Sequence, residues 1–208
     1  MAPGLDLSAI GIILLASGSS ERMGANKLLL PVEGQSCIYK VGEMISQLKV
    51  GCVVALYKED TVKEQLADFN FRLIYNPRAH LGQSEAIKLG VSQRWDESIK
   101  AWAFVMGDQP LLSEDVCNML FEAFLKSDSN IAVPCVGDVT YSPVVFHRDW
   151  KAKLLSLEGD FGAKRLLKLP EARVLRVMFD KTEPFEDMDT AAAYLSIQAI
   201  VKKRIVGG

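Results

Sequence analysis

Residues 14–30 read LLASGSSERMGANKLLL, and the fold is read from how this stretch begins. The apolar run from Ile10 to Ala16 stops at a small polar loop, and a second apolar run starts at Leu28. The loop holds Gly18, Gly24, three serines, Arg22 and Lys27. A buried strand that ends in small residues lets a ligand approach the backbone. Successive backbone N–H groups in such a turn can form a concave anion site. Arg22 and Lys27 add fixed positive charge, which suits phosphate oxygens. The stretch therefore reads as a triphosphate-binding loop, with an ordinary strand-to-loop turn carrying exposed cations as the alternative. A Walker loop puts Lys directly after its second Gly, followed by Ser or Thr. Here Ala25 and Asn26 separate Gly24 from Lys27, and Leu28 follows. The Gly spacing also departs from the dinucleotide fingerprint.

Outward from this loop, short apolar runs alternate with segments of helical period. The runs are 10–16, 52–56, 72–75, 102–106 and 131–135. Ile38, Val41, Ile45 and Leu48 share one helical face, with Ser36 as a cap. Thr61 and Glu64 form a capping-box pattern that opens a short helix. Ile87, Val91 and Trp95 recur on one face, as do Val116, Met119, Leu120, Ala123 and Phe124, capped by Ser113. The βαβαβαβαβ order predicts an α/β fold, a Rossmann-like, mostly parallel sheet with helices on both faces. Strands are expected at 144–146 and 173–179, and helices at 149–157 and 160–169, the second capped by Asp160. The last helix is expected to start near Asp189 or Thr190. No repeat or linker interrupts the chain, so residues 1–208 are read as a single domain.

In such sheets ligands bind at the carboxyl ends of the strands. The loop at 17–27 and the Gly107-Asp108 pair both follow strands and fall on that edge. Asp108, in VMGDQPLL, ends a hydrophobic strand where a free carboxylate is costly to bury. Facing a phosphate loop, it suits a hard cation such as Mg²⁺. Asp187 and Asp189 precede a helix and offer a second metal ligand, or Asp189 caps that helix with Thr190. Asn76 ends the third strand. Gly82, Gln83 and Ser84 stand at a helix N-terminus, where free N–H groups and side chains could read a nucleobase edge. Tyr141-Ser142-Pro143 and the turn Leu157–Ala163 are candidate pocket walls, with plain loops as the alternative. Arg78 and His80 receive no role, and His147 reads as structural.

The chain has 208 residues, 49% of them hydrophobic, which suffices for a sizeable core. A formal net charge of −2 argues against a nucleic-acid partner. Cys37, Cys52, Cys117 and Cys135 are scattered without metal or redox spacing, which points to a reducing, cytoplasmic setting. No apolar run reaches membrane-spanning length and no signal peptide is evident.

Six segments together carry a resemblance: LLASGSSERMGANKLLLP, NPRAHLGQSEAIKLG, MGDQPLL, YSPVVF, LEGDFGAKRLL and DMDT. In this order, over residues 12 to about 194, the chain resembles the nucleotidyltransferases of molybdenum cofactor biosynthesis. It looks most like the cytidylyltransferases and the relatives that serve molybdenum hydroxylases. The resemblance implies a nucleotide-diphospho-sugar transferase-like fold and a nucleotidyl transfer, with CTP expected over GTP, that requires Mg²⁺ or Mn²⁺. The acceptor would be the phosphate of a molybdopterin-type substrate, and a molybdenum hydroxylase would be a docking partner. It also implies Arg22, Lys27 and Asp108 as catalytic residues. Ala16, Ser17, Gly18, Gly24, Lys27, Asn76 and Ser84 would bind the nucleotide. Gly159, Asp160, Phe161 and Gly162 would meet the acceptor, and Asp108 and Asp189 would hold the metal. Ser17 stands where the family has Ala or Gly, and Glu85 and Ala86 stand at positions usually hydroxylated. Both departures touch specificity rather than chemistry. The rivals are transfer to a sugar or polyol phosphate and a non-catalytic, cofactor-binding accessory protein.

Overall fold

The computed structural model describes residues 6–18, 26–160 and 162–207. Arg22, Gly24 and Phe161 lie outside the described residues. The strands, in chain order, are β1 (Leu7–Ala16), β2 (Pro31–Val32), β3 (Gln35–Ser36), β4 (Val50–Tyr57) and β5 (Arg72–Tyr75). They continue as β6 (Ala101–Met106), β7 (Ile131–Val136), β8 (Val139–Thr140), β9 (Val144–His147) and β10 (Val174–Met178). The helices are α1 (Cys37–Gln47), α2 (Asp60–Leu66), α3 (Gln83–Val91), α4 (Glu114–Leu125), α5 (Lys151–Leu155) and α6 (Ala191–Gly207).

The main sheet has the order β10-β7-β9-β6-β1-β4-β5, with β8 paired to β7. β1 lies inside the sheet and runs parallel to both β4 and β6. The sheet is mostly parallel, as expected, but β9 enters antiparallel between β6 and β7. Alternation along β1 explains the two-sided burial. Ile12, Leu14 and Ala16 join one core, under α1, α2 and α4. Ile13 and Leu15 join the other, under α3 and α5. Helices thus cover both faces, and a near-continuous apolar strand is what a doubly covered parallel sheet requires.

Ser36 and Ser113 cap α1 and α4 as read, each accepting a backbone N–H three residues on. Three expectations at helix starts change. α2 begins at Asp60 with Glu59 before it and no side-chain cap, so Thr61 lies inside the helix. The segment expected at 149–157 splits into a 3₁₀ turn, Arg148–Trp150, and the short α5. The helix expected at 160–169 is a 3₁₀ helix, Ala163–Lys168, preceded by Gly162 rather than capped by Asp160. The Asp160 carboxylate is drawn instead to the free N–H groups of α3, where it accepts from Gln83 N at 3.3 Å. Among the described residues no helix is long and apolar enough to cross a membrane.

Phe121, on α4, is fully buried in the first core. Phe121→Ala is expected to destabilise the protein by about 3–5 kcal/mol. In urea unfolding the midpoint should fall while the slope stays constant; an unchanged midpoint would contradict this packing.

Candidate active site

Asp108 owes its position to the exit from β6. Gly107 N donates to Leu15 O at 3.0 Å, which ties the end of β6 to β1. A Cβ on Gly107 would lie 3.0 Å from Ile38 Cδ1 and 3.1 Å from Leu15 O, so the chain leaves through a gap suited to glycine. Asp108 follows, only 6% exposed. Its Oδ2 accepts from Lys27 Nζ. Its Oδ1 is buried and has no hydrogen-bond partner among the described residues.

Lys27 opens a 3₁₀ turn, Lys27–Leu29, capped by Asn26, whose Oδ1 accepts from Leu28 N at 3.0 Å. The Lys27 ammonium also donates to Asp189 Oδ1. Burial works against this charge, but Asp108 and Asp189 together hold the Lys27 pKa above the usual lysine range.

The segment before α6 is tied down by backbone and amide bonds. Met188 N donates to Asp108 O at 3.1 Å, and Gln109 Nε2 donates to Phe185 O at 2.9 Å. Met188 is fully buried, in a cluster with Val32, Cys37, Leu111, Ile197 and Val201. Thr190 Oγ1 accepts from Ala193 N at 3.1 Å. Thr190 therefore supplies the cap of α6, and Asp189 is left to face Lys27. Burial, with the charges of Asp189 and Asp108, pushes the Asp187 pKa up.

These residues fit a divalent cation. Two carboxylates converge on one point, and one carboxylate oxygen is buried without a partner. Mg²⁺-type ions take one or two carboxylates and complete their shell with water and substrate phosphates. The described residues hold no group of three or more His, Cys, Asp or Glu side chains that could hold a metal ion.

Two cavities meet here. The smaller, of about 600 Å³, is lined by Ser17, Gly18, Lys27, His80, Gly82 and Asp160 among others. The larger, of about 920 Å³, extends over Phe104, Tyr141, Gly162, Lys164, Phe185 and Asp189. Leu15, Lys27, Gln83, Met106 and Asp108 line both.

The residues expected to bind nucleotide are distributed unevenly. Ser17 and Gly18 line the smaller cavity, and Asn76 Nδ2 donates to Ser17 Oγ at 2.9 Å. Asn76 is buried behind Ser17 and holds it from the end of β5. Ala16 is buried in the core. The Ser84 side chain is fully buried and lines neither cavity. The first amides of α3 are not free to read a base. Gln83 N is taken by Asp160 and Ser84 N by Gly159 O at 3.3 Å. Gly82, at φ 102°, permits this close approach: a Cβ there would lie 2.7 Å from Gly159 O. Asp160 faces the smaller cavity and Gly162 the larger, so the turn spans both. Arg78 pairs with Glu85 at 3.7 Å. His80, given no role from sequence, stands in the smaller cavity wall. Lys164, in the segment LEGDFGAKRLL, also received no role from sequence, and it lines the larger cavity.

Residues 12–177 match the MobA-like NTP transferase domain. The chain is 28% identical over 192 residues to the purine catabolism protein PucB of Bacillus subtilis, covering 88% of this chain and 92% of that one. It is 24% identical over 143 residues, 67% of each chain, to the "Probable molybdenum cofactor guanylyltransferase" of Natranaerobius thermophilus. In fold it is similar to Rv0371c of Mycobacterium tuberculosis in its manganese complex. The TM-score there is 0.74 at 18% identity, covering 91% of this chain and 97% of that one.

Asp187→Asn is expected to raise the melting temperature of the ligand-free protein at pH 7, because it removes a charge that burial and two carboxylates oppose. The Asp187 pKa is raised on folding, so its protonated form adds stability that is full below 3.8 and lost as pH rises through the raised value. The gain from the variant should therefore vanish below pH 3.8. Melting curves across pH check this, and a lower melting temperature at pH 7 would refute it.

Proposed function

The chain belongs to the MobA-like NTP transferase family, and from that premise we propose that it joins a nucleoside monophosphate to the phosphate of a molybdopterin-type acceptor. The observation that carries this reading is the meeting of the two cavities at Lys27 and Asp108. A triphosphate fits the smaller cavity, which Ser17 and Gly18 line. An acceptor fits the larger. Their reacting phosphates then come together at the shared wall.

An acceptor phosphate oxygen attacks the α-phosphorus. The bond from that phosphorus to the bridging oxygen of the β-phosphate breaks, and pyrophosphate leaves with the electron pair. Such transfers depend on positioning and on neutralising charge, and need no protein nucleophile. Lys27 supplies a cation at the point of transfer. Asp108 and Asp189 would hold Mg²⁺ or Mn²⁺, which when bound neutralises phosphate charge and polarises the phosphorus–oxygen bonds. The apolar walls of the larger cavity, Phe104 and Val144 among them, restrict water near the acceptor. Arg22, in the same sequence segment as Lys27, is assigned a second clamp on the triphosphate by resemblance. The four free cysteines suit a cytoplasmic setting.

CTP is the donor we place first, on the sequence resemblance to cytidylyltransferases. GTP is the second reading, because a relative bears the name of a guanylyltransferase. Pyrophosphate release with Mg²⁺ and molybdopterin, from CTP, GTP and ATP in parallel, separates them. Release from CTP supports the first and release from GTP the second. No release from any of them by folded protein overturns the proposed reaction. It would leave a sugar or polyol phosphate acceptor, or an accessory binding role.

Asp108→Ala and Lys27→Ala are each expected to lower turnover by about 10²–10³-fold, with far-UV circular dichroism unchanged. Near-normal turnover in either variant would overturn the assigned chemistry.

A further inference from the structure

The larger cavity is lined by four carboxylates, Asp108, Glu186, Asp187 and Asp189, and two lysines, Lys27 and Lys164. A phosphate entering this wall meets net negative charge. Lys27 is already matched by Asp108 and Asp189. Lys164 is not matched in this way. Its ammonium donates to Thr140 O at 3.2 Å and forms no ion pair with a described residue. An ammonium has three donors, so two remain for a ligand.

The position of Lys164 is fixed. It is the second residue of the 3₁₀ helix Ala163–Lys168, whose neighbours Gly162 and Ala163 also line the cavity. Tyr141 stacks on Phe185 with ring centroids 5.0 Å apart, and these rings form an apolar part of the same wall. Lys164 lines the larger cavity and not the smaller. Although the residue as a whole is exposed, enclosure of the ammonium pushes its pKa below the usual lysine range, with Asp187 opposing. Asp187, Lys27 and Lys164 all line the larger cavity.

We propose that Lys164 is an acceptor-binding residue that grips the phosphate of the second substrate and takes no part in holding the triphosphate. This rests on the two-substrate reading above. The alternative, a lysine that only ties the 3₁₀ helix to Thr140, predicts no selective loss of one ligand.

The test is equilibrium binding of molybdopterin and of CTP and GTP to the full chain, for wild type, Lys164→Gln and Lys164→Arg. A charge-assisted hydrogen bond of about 1.5–3 kcal/mol corresponds to about 10–100-fold in affinity. Lys164→Gln should weaken molybdopterin binding by that factor, Lys164→Arg should recover most of it, and triphosphate affinity should stay unchanged. Equal molybdopterin affinity in wild type and Lys164→Gln, or a parallel loss of triphosphate affinity, overturns the proposal. Failure of wild type to bind molybdopterin overturns instead the acceptor named under the proposed function. Lys164 is then read with inorganic phosphate, with the triphosphate cavity filled by a non-hydrolysable analogue. Weaker phosphate binding in Lys164→Gln sustains the proposal for another phosphate-bearing acceptor. Equal binding, or none in wild type, overturns it.

Discussion

One ammonium organises the site. Lys27 is bonded to Asp108, 81 residues away, and to Asp189, 162 residues away. Burying Asp108 at the end of a core strand is affordable only with a partner, since an isolated buried carboxylate would lose its hydration without return. That partner must come from the loop after β1, the neighbouring parallel strand. The bonds from Met188 N to Asp108 O and from Gln109 to Phe185 O then bring the last segment before α6 to the same point. Three distant stretches of chain are held by one charge and two neutral hydrogen bonds.

The division between the two cavities depends on a second contact, that of α3 with the turn at 159–162. Gly159 and Asp160 accept the first two amides of α3, and Gly82 removes the Cβ that would keep them apart. Gln83 fills the space beside Gly162: a Cβ there would lie 2.3 Å from Gln83 Oε1. Its Nε2 reaches Met106 Sδ at 3.3 Å. Gln83 and Met106 are thus part of the wall that both cavities share, and they separate them without closing either.

The fold was legible because strands covered on both faces are continuous apolar runs, and five of them are bounded by polar loops. Asp108 and Asp189 were legible as acids at strand and helix ends, but their sharing of Lys27 was not, because no local pattern records a contact across 162 residues. The caps at Ser36 and Ser113 were read correctly because each depends on a local bond. Asp160 was misread for the opposite reason. Its side chain serves α3, a helix nearly eighty residues earlier, in place of the helical turn that follows it. Ser84 reads from sequence as an available hydroxyl near a helix start, and its burial comes from packing that no local pattern records. β9 was read as a strand, but direction is not written in an apolar run.

The antiparallel entry of β9 also constrains how the chain can assemble. β5, β4, β1 and β6 are neighbours in the sheet and come from residues 7–106, so their pairings need nothing from the rest of the chain. β7 follows them in sequence yet pairs with none of them; it joins the sheet only through β9. During synthesis the half of the sheet that carries Ser17, Lys27 and Asp108 can therefore pair first. The side built on β7, β9 and β10 waits for residue 147 to emerge, and Asp189 arrives later still. The proposed catalytic centre lies at the seam between an early and a late unit, so it becomes complete only once Asp189 has been made.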